Sequence, residues 1–234
     1  MCVGTSVLEL NEIENLAKKL DHASAMEIIR IAVERIPNLT LACSFGAEDM
    51  VLVDMLMQVD GNASIFYLDT DLLFQETYVL RESAIQKYGL HSLRQVRPTL
   101  TLGEQAEAYG DKLWKRDPNA CCVIRKVTPL TKILQEYDGW ITGIRRDQAQ
   151  TRTNSQVLEW DTKFELVKVN PLAFWTEEQM WAYIRCHDVP YNPLHDKGYP
   201  SIGCTHCTKS VKPGEDPRSG RWSGFEKTEC GLHK

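Results

Sequence analysis

Four of the eight cysteines fall into two close pairs that could hold a metal centre. Cys121 and Cys122 are adjacent, and Cys204, which begins the sequence CTHC that ends at Cys207, follows 82 positions after Cys122. Four thiolates suit either a tetrahedral zinc ion or a [4Fe-4S] cluster. Zinc sites generally separate paired ligands by about two to four residues, whereas neighbouring thiolates can bind different iron atoms of a cubane. The spacing therefore favours the cluster and leaves zinc as the alternative.

The residues around the cysteine pairs favour ligation over packing. The sequence DPNACC places Cys121 near a helix start, where the helix dipole stabilises thiolates. Without Cys204 and Cys207, the first pair would be interpreted as part of a buried core. A thioredoxin-like role for CTHC conflicts with the following TKSVKPG, which cannot form the apolar helix that such a motif opens.

The carboxyl-terminal sequence ECGLH could supply a reactive thiol. Cys230 lies close to the end of the chain and precedes a glycine, so it is not expected in a core. His233 and the basic residues of this segment could lower the pKa of Cys230, and the thiolate is the reactive form. An incidental surface thiol is the alternative. We expect the remaining cysteines in packing or surface positions, namely Cys2, Cys43 and Cys186.

Two motifs follow neighbouring predicted strands. SFGAED, residues 44–49, lies at a strand-to-helix junction, where backbone N–H groups and the helix dipole can receive an anion or a nucleotide edge. YLDTD, residues 67–71, ends the next strand at the same carboxyl edge, which is where open α/β sheets bind ligands. For the first motif alone, the alternative is an ordinary turn with Ser44 as a cap and Gly46 for backbone freedom.

Short apolar runs alternate with helical stretches after Leu39, which predicts an α/β fold with a mostly parallel sheet and helices on both faces. The predicted strands are LTLACS, ASIFYLD, HSLRQV and GWITGI. Helices are predicted within residues 6–36, from Ala47, from about Phe74, after Cys121 and from a Thr176 cap. Past Asp188 the pattern gives way to an irregular segment rich in Pro and Gly.

The composition narrows the class of protein. The 234 residues are 43% hydrophobic and 25% charged, which is typical of a globular protein. The sequence shows neither a run of about 18 apolar residues nor the basic start of a secretory signal, so we expect a cytoplasmic protein without a membrane segment. Basic residues concentrate in segments 112–152 and 209–234 of an otherwise acidic chain, which suits a small anionic ligand better than nucleic acid.

Together the motifs resemble those of a known enzyme family. The set SFGAED, YLDTDLLFQETY, CCVIRK, TGIRRDQ, YNPLHDKGYPSIGCTHC, RSGRW and KTECGLH is similar to the assimilatory adenylylsulfate and phosphoadenylylsulfate reductases. The resemblance implies an adenine-nucleotide alpha hydrolase-like fold, a homo-oligomer, and a role in sulfate assimilation toward cysteine biosynthesis. It also implies that a [4Fe-4S] cluster is held by Cys121, Cys122, Cys204 and Cys207.

The resemblance further implies a mechanism. Cys230 would attack adenylylsulfate to form an S-sulfonate, and thioredoxin or glutaredoxin would then release sulfite. Lys126 and His233 would assist Cys230. The substrate-binding residues would be Ser44, Phe45, Gly46, Asp69, Thr70, Arg145, Arg218 and Arg221, with the cations stabilising charge on sulfonyl and phosphate oxygens. The cluster is expected to act structurally and electrostatically, through Lys126.

The expected organisation is one nucleotide-binding domain over residues 1–208, with amino-terminal helices over 1–38, and a flexible tail over 209–234.

Three alternatives to an adenylylsulfate reductase remain at this point. The first is a phosphoadenylylsulfate or dual-specificity reductase. The second is an ATP pyrophosphatase-like tRNA thiolase, which Phe45 and the acidic end of SFGAED disfavour because such enzymes carry SGGxDS. The third is an iron-sulfur nucleotide sensor, which gives Cys230 no role.

Overall fold

The computed structural model describes residues 8–232, so Cys2 and His233 lie outside the described residues. The strands are β1 (Leu39–Ala42), β2 (Ser64–Leu68), β3 (Leu93–Val96), β4 (Gly139–Ile141), β5 (Leu158–Asp161) and β6 (Leu166–Val169). The α-helices are α1 (Leu10–Leu20), α2 (Ala25–Arg35), α3 (Ala47–Val59), α4 (Gln75–Tyr88), α5 (Leu102–Tyr109), α6 (Leu113–Arg116), α7 (Pro118–Cys122), α8 (Thr128–Leu134) and α9 (Glu177–Cys186). A π-helical segment, Val123–Val127, joins α7 to α8.

The strands form one sheet in the order β3-β2-β1-β4-β6-β5, parallel except for β5. This confirms the predicted mostly parallel α/β fold and each of the four predicted strands. The chain leaves β1 towards β2 on one side, while β4 pairs with β1 on the other. The carboxyl ends of β1 and β4 therefore flank the point where strand order reverses, which is where such sheets bind ligands.

Residues that alternate along the strands build a core on each face of the sheet. Ile65 and Ile141 belong to the larger core, which includes buried residues of α1–α4 and α9. Their neighbours Phe66 and Trp140 belong to a second core with Leu130 of α8. Helices therefore cover both faces, as predicted. The central strands β1, β2 and β4 are apolar because both of their faces are buried, whereas the edge strand β3 exposes Arg94 and Gln95.

Helix α3 is buried along most of its length, including two of its acidic residues. Asp54 accepts hydrogen bonds from the Tyr183 hydroxyl at 2.7 Å and from the Gln58 amide at 2.8 Å. Because polar groups hydrogen-bond this carboxylate, its burial between α3 and α9 is tolerated.

After α9 the chain is irregular, as predicted, but its described part packs against the body. Cys204 pairs with Leu73 in an isolated antiparallel bridge, and Thr208 pairs with Arg221 in another. Near the end, Lys163 donates a hydrogen bond to the Gly231 carbonyl, and Leu232 packs against the second core. The flexibility expected of the tail stays a prediction.

Within residues 8–232, no helix combines the length and apolar character needed to cross a membrane.

Candidate active site

A cavity of about 1000 Å³ opens at the carboxyl edge of the sheet. Its floor comes from the ends of β1, β2 and β4, and its outer wall comes from the carboxyl-terminal segment. Residues of α9 also line it. Eight of the predicted site residues line the cavity: Ser44, Phe45, Gly46, Lys126, Arg145, Arg218, Arg221 and Cys230. The volume lies at the upper end of the range typical of small-molecule sites.

The loop after β1 is anchored by a buried carboxylate at the start of α3. Asp49 accepts hydrogen bonds from the backbone N–H of Ser44, at 2.6 Å, and from its hydroxyl. Phe45 takes a left-handed backbone conformation, with φ of 59°, and buries its ring against Tyr67. Burial raises the pKa of Asp49 to about 6, although the Ser44 hydrogen bonds oppose the shift. The loop is thereby fixed with its backbone along the cavity.

The loop after β4 meets the same helix start. A side chain at Gly143 would place its Cβ 2.3 Å from an Asp49 carboxylate oxygen and 2.9 Å from the Glu48 Cβ. Arg145 is buried, and its guanidinium pairs with Glu48 at 3.0 Å and also with Asp147. Gly143 therefore permits close contact of the two loops, and Arg145 ties them together with its charge already balanced by carboxylates.

Asp69 and Thr70 follow β2 but are not among the residues that line the cavity. Asp69 accepts hydrogen bonds from the Tyr78 hydroxyl at 2.7 Å and the Gln95 amide at 2.6 Å. Thr70 is fully buried, and its hydroxyl lies 3.3 Å from the Cys204 sulfur. In this structure both residues support the loop rather than contact the cavity, so their predicted role in substrate binding stays a prediction.

The two cysteine pairs approach each other from distant segments. Cys121 and Cys122 end α7, whose first amides are capped by the Asp117 carboxylate. Cys204 is held beside the loop after β2 by its bridge to Leu73. Burial and the neighbouring thiols raise the pKa of Cys121 to about 12 and that of Cys207 to about 11. Metal ligation of such thiols would therefore release protons.

Among residues 8–232, no three His, Cys, Asp or Glu side chains are gathered closely enough to hold a single metal ion. Of the other cysteines that the structure describes, Cys43 is buried and Cys186 is exposed, as expected.

A buried arginine that sequence reasoning missed connects the two cysteine-bearing regions. Arg125 is 1% exposed and donates to the Thr70 carbonyl at 2.6 Å and to Gln105 at 3.1 Å. It also pairs with Asp71. Because Thr70 contacts Cys204, this guanidinium fixes the segment after Cys122 relative to the other pair. In the sequence, Arg125 stands in CCVIRK, and its partners Thr70 and Asp71 stand in YLDTD. Neither motif indicates that these residues contact each other.

Lys126 lies between the cysteine pairs and the end of the chain. It is half-buried, and burial would lower its pKa, yet the Cys204 and Cys230 sulfurs outweigh this effect and raise it. The lysine therefore remains charged at neutral pH, beside both the candidate ligands and the candidate nucleophile.

The remaining predicted cations lie in the carboxyl-terminal segment. Arg221 donates to the Ser201 hydroxyl at 3.0 Å, and its guanidinium carbon lies 4.5 Å from the centre of the Trp222 ring. Gly220 is required there because a Cβ would approach the Lys209 carbonyl oxygen to 2.3 Å. Arg218 donates to the Thr228 carbonyl at 2.8 Å and to the Glu229 carboxylate at 3.0 Å.

Cys230 is half-buried in the cavity wall, and the residue before it is clamped. Both Glu229 oxygens accept hydrogen bonds from Arg152 at 3.0 Å. Burial would raise the pKa of Glu229, but Arg152 and Arg218 outweigh it and lower that pKa. Sequence reasoning missed Arg152 and Glu229, although Glu229 stands in ECGLH, because a motif does not show which charges pair.

Comparison with known proteins gives consistent results. The sequence model of one protein family, the phosphoadenosine phosphosulfate reductase domain, matches residues 38–210. An adenosine 5'-phosphosulfate reductase of Shouchella clausii is 49% identical, covering 97% of this chain and 94% of its own. Adenosine 5'-phosphosulfate reductase 2 of Bacillus subtilis is 51% identical over 82% of each chain.

Among solved structures, a phosphoadenylyl-sulfate reductase from Candida auris, in a phosphate complex, is similar to this chain with a TM-score of 0.77. It is 32% identical, and the match covers 89% of this chain and 100% of that one.

Proposed function

The chain belongs to the phosphoadenosine phosphosulfate reductase domain family, and from this premise we propose that it reduces adenylylsulfate to sulfite and AMP. The protein is an oxidoreductase of assimilatory sulfate reduction, in agreement with relatives at about 50% identity over most of its length. The observation that carries the proposal is Cys230 in the wall of a sheet-edge cavity beside Lys126 and Arg218. A nucleotide sensor would give this thiol no role, and a tRNA thiolase is disfavoured by Phe45 and the acidic end of SFGAED.

The first half-reaction is a displacement at sulfur. The Cys230 thiolate attacks the sulfur of adenylylsulfate, an S–S bond forms, and the bond from that sulfur to the bridging oxygen breaks with its electrons leaving on AMP. Cys230 then carries an S-sulfonate. Covalent catalysis of this kind divides one difficult reduction into two substitutions that each have a good leaving group.

The second half-reaction consumes a dithiol. One reductant thiolate attacks the Cys230 sulfur and expels sulfite, and the second reductant thiol then resolves the mixed disulfide and returns Cys230 as a thiol. The dithiol loses two electrons, and the sulfonyl sulfur gains them. We expect thioredoxin or glutaredoxin as the reductant, because both present such a pair.

The cations around the cavity suit a reaction in which nucleophile, substrate and leaving group are all negative. Lys126, Arg218 and Arg221 would stabilise charge that grows on the sulfonyl and phosphate oxygens. Arg145 would act mainly by holding the loops after β1 and β4 together, since Glu48 and Asp147 balance its charge. His233 lies outside the described residues and keeps its predicted role beside Cys230.

The donor set fits a [4Fe-4S] cluster. Cys121, Cys122, Cys204 and Cys207 would hold it, three of these four thiols are buried, and Arg125 and Lys126 supply positive charge nearby. When bound, the cluster would supply a negatively charged link between the two chain segments. The chain's own contribution is the rigid frame of Arg125, Thr70 and the Leu73–Cys204 bridge.

Adenylylsulfate is the preferred substrate in this proposal, and the 3′-phosphorylated nucleotide is the alternative. Glu48 and Asp49 place two carboxyl groups at the start of α3, beside the loop expected to receive the nucleotide. Relatives about 50% identical over most of this chain carry the name adenosine 5'-phosphosulfate reductase, which supports this preference. A cytoplasmic location and a homo-oligomer remain predictions.

The test is an anaerobic sulfite-release assay with thioredoxin that compares adenylylsulfate with its 3′-phosphorylated form. We expect higher kcat/KM with adenylylsulfate, and higher kcat/KM with the phosphorylated nucleotide would reverse the assignment. Absence of sulfite from both substrates would refute the proposed reaction.

A second experiment tests the nucleophile. Adenylylsulfate without reductant should add the mass of one SO₃ group to the peptide that contains Cys230. Cys230→Ser should keep nucleotide binding and lose sulfite release, since a hydroxyl is a far weaker nucleophile than a thiolate at neutral pH. Cys186→Ser is the matched control, because Cys186 is exposed and lies outside the cavity lining. Addition of the mass to another cysteine would refute the assignment.

A further inference from the structure

Glu229 is the most completely paired carboxylate near the candidate nucleophile. Its side chain is 2% exposed, and its two oxygens accept hydrogen bonds from Arg152, each at 3.0 Å. Arg218 adds a hydrogen bond at 3.0 Å, and the Thr151 hydroxyl adds one at 3.3 Å. Bidentate, charge-assisted hydrogen bonds between an arginine and a carboxylate are among the strongest hydrogen bonds that side chains make.

The two arginines join different parts of the molecule through this carboxylate. Arg152 belongs to the segment after β4, so its bond links the tail to the body. Arg218 lies in the carboxyl-terminal segment itself and folds that segment onto its own end. Because Glu229 is the residue before Cys230, the clamp fixes the backbone from which the thiol projects.

We infer that Glu229 is a positioning residue, whose clamp by Arg152 and Arg218 seats Cys230 for attack and must open before the reductant can reach the S-sulfonate. The inference rests on the proposed role of Cys230. The Glu229 carboxylate thus has opposite effects on the two half-reactions, because it favours the displacement and opposes the thiol exchange.

The other contacts of the tail explain why this clamp can control its position. Lys227 donates to the Asn119 side chain at 2.6 Å, Lys163 donates to the Gly231 carbonyl, and Leu232 packs against the second core. The two lysine contacts lie at exposed positions, where single polar contacts contribute little to stability. The buried Glu229 clamp is therefore the polar interaction whose loss should most increase the open population of the tail.

Glu229→Gln tests the inference, because it keeps the size of the side chain and removes its charge. Without reductant, AMP release in a single turnover should slow about tenfold to a hundredfold, since a charged hydrogen-bonded pair is weakened. With Cys230 already converted to the S-sulfonate, sulfite release by thioredoxin should be faster than in the wild type, and an equal or slower rate would show that Glu229 does not oppose the thiol exchange. Glu226→Gln is the matched control, since Glu226 is an exposed glutamate of the same tail, and both steps should stay unchanged.

Limited trypsin digestion reports on the clamp independently of any reaction. Cleavage after Lys227 releases residues 228–234, and the tail must leave the body for this bond to enter a protease. Glu229→Gln should raise the rate of this cleavage about tenfold, whereas Glu226→Gln should leave it at the wild-type rate.

The outcomes separate the inference from the function on which it rests. If the wild type forms no S-sulfonate, the proposed function fails, and the cleavage rate still tests the clamp. If Glu229→Gln slows both half-reactions by the same factor and lowers Tm, the residue is merely structural. An unchanged cleavage rate, or an unchanged first half-reaction, would overturn the inference.

Discussion

Gly143→Ala should separate the two loops that form the floor of the cavity. The new Cβ would lie 2.3 Å from an Asp49 carboxylate oxygen, whereas such contacts essentially never fall below 3.0 Å. The loops after β1 and β4 must therefore move apart by 3.0 minus 2.3, or about 0.7 Å. Asp49 cannot simply rotate away, because its other oxygen holds the Ser44 amide and hydroxyl. Overpacking of this kind costs about 2 kcal/mol, which corresponds to a fall in Tm of about 4–8 °C for a chain of this size.

The functional effect should exceed the effect on stability. A displacement approaching 1 Å in a substrate-positioning loop can reduce the rate about a hundredfold, so we expect kcat/KM for sulfite release to fall by about that factor. Thermal unfolding and the anaerobic sulfite assay measure the two effects on the same protein.

Two other glycines provide matched controls. At Gly139, the other end of β4, a Cβ would lie 2.8 Å from Ile36 and 3.1 Å from the Val167 carbonyl oxygen. Gly139→Ala should therefore lower Tm while leaving kcat/KM close to the wild-type value. At Gly61 a Cβ would meet no atom within 4 Å, so Gly61→Ala should change neither quantity. If Gly139→Ala and Gly143→Ala lowered kcat/KM equally, the effect would come from general destabilisation and the reasoning would be wrong.

Three further predictions concern the cysteines, the buried carboxylate and the buried guanidinium. Protein purified anaerobically should contain iron and sulfide in about equal amounts. Cys207→Ser should lower both contents, whereas the control Cys186→Ser should change neither. Stoichiometric zinc without sulfide would contradict the cluster. Because burial raises the pKa of Asp49 from 3.8 to about 6, the folded protein binds its proton more tightly than the unfolded chain, so stability should fall by up to about 3 kcal/mol as pH rises through this window. Asp49→Asn should remove that part of the pH dependence in denaturant titrations, and an unchanged slope would refute the cause. Arg125→Met should lower Tm and cluster content together, because it leaves the Thr70 carbonyl and Asp71 without their buried donor; retention of full iron content would show that Arg125 does not fix the cysteine pairs.

The sequence was sufficient for the central strands β1, β2 and β4 because they are buried on both faces, and it also predicted the edge strand β3. The parallel strand β6 was not predicted. Apolar runs such as ASIFYLD have no other plausible position in an α/β protein, and turn residues mark their ends. Strand β5 was missed because LEWD is short and carries two charges, and it pairs only through the hairpin with β6, where Glu165 adopts a φ of 57°. That conformation is uncommon for a residue other than glycine and leaves no clear pattern in the sequence.

The site was predictable to the level of loops but not of side-chain partners. SFGAED and YLDTD follow adjacent strands, and the cavity opens at the carboxyl edge that they share. The direction of Asp69 and the pairing of Glu229 with Arg152 depend on contacts across 26 and 77 positions. A count of charges from the sequence treats Glu229 and Arg152 as a free anion and a free cation, whereas in the folded protein they neutralise each other.

The π-helical segment after Cys122 has a consequence for how this region can vary in length. In this segment the Thr128 amide bonds to the Val123 carbonyl, which spans one residue more than an α-helical bond. Each residue of an α-helix advances the chain by about 100° around the axis. Deleting any one of residues 123–127 would convert the wide turn into an α-helical turn, so the segment Pro118–Cys122 would keep its orientation relative to α8. The loss of one residue can therefore be absorbed here, whereas the loss of two would exhaust the wide turn and rotate Cys121 and Cys122 by about 100° away from Cys204 and Cys207.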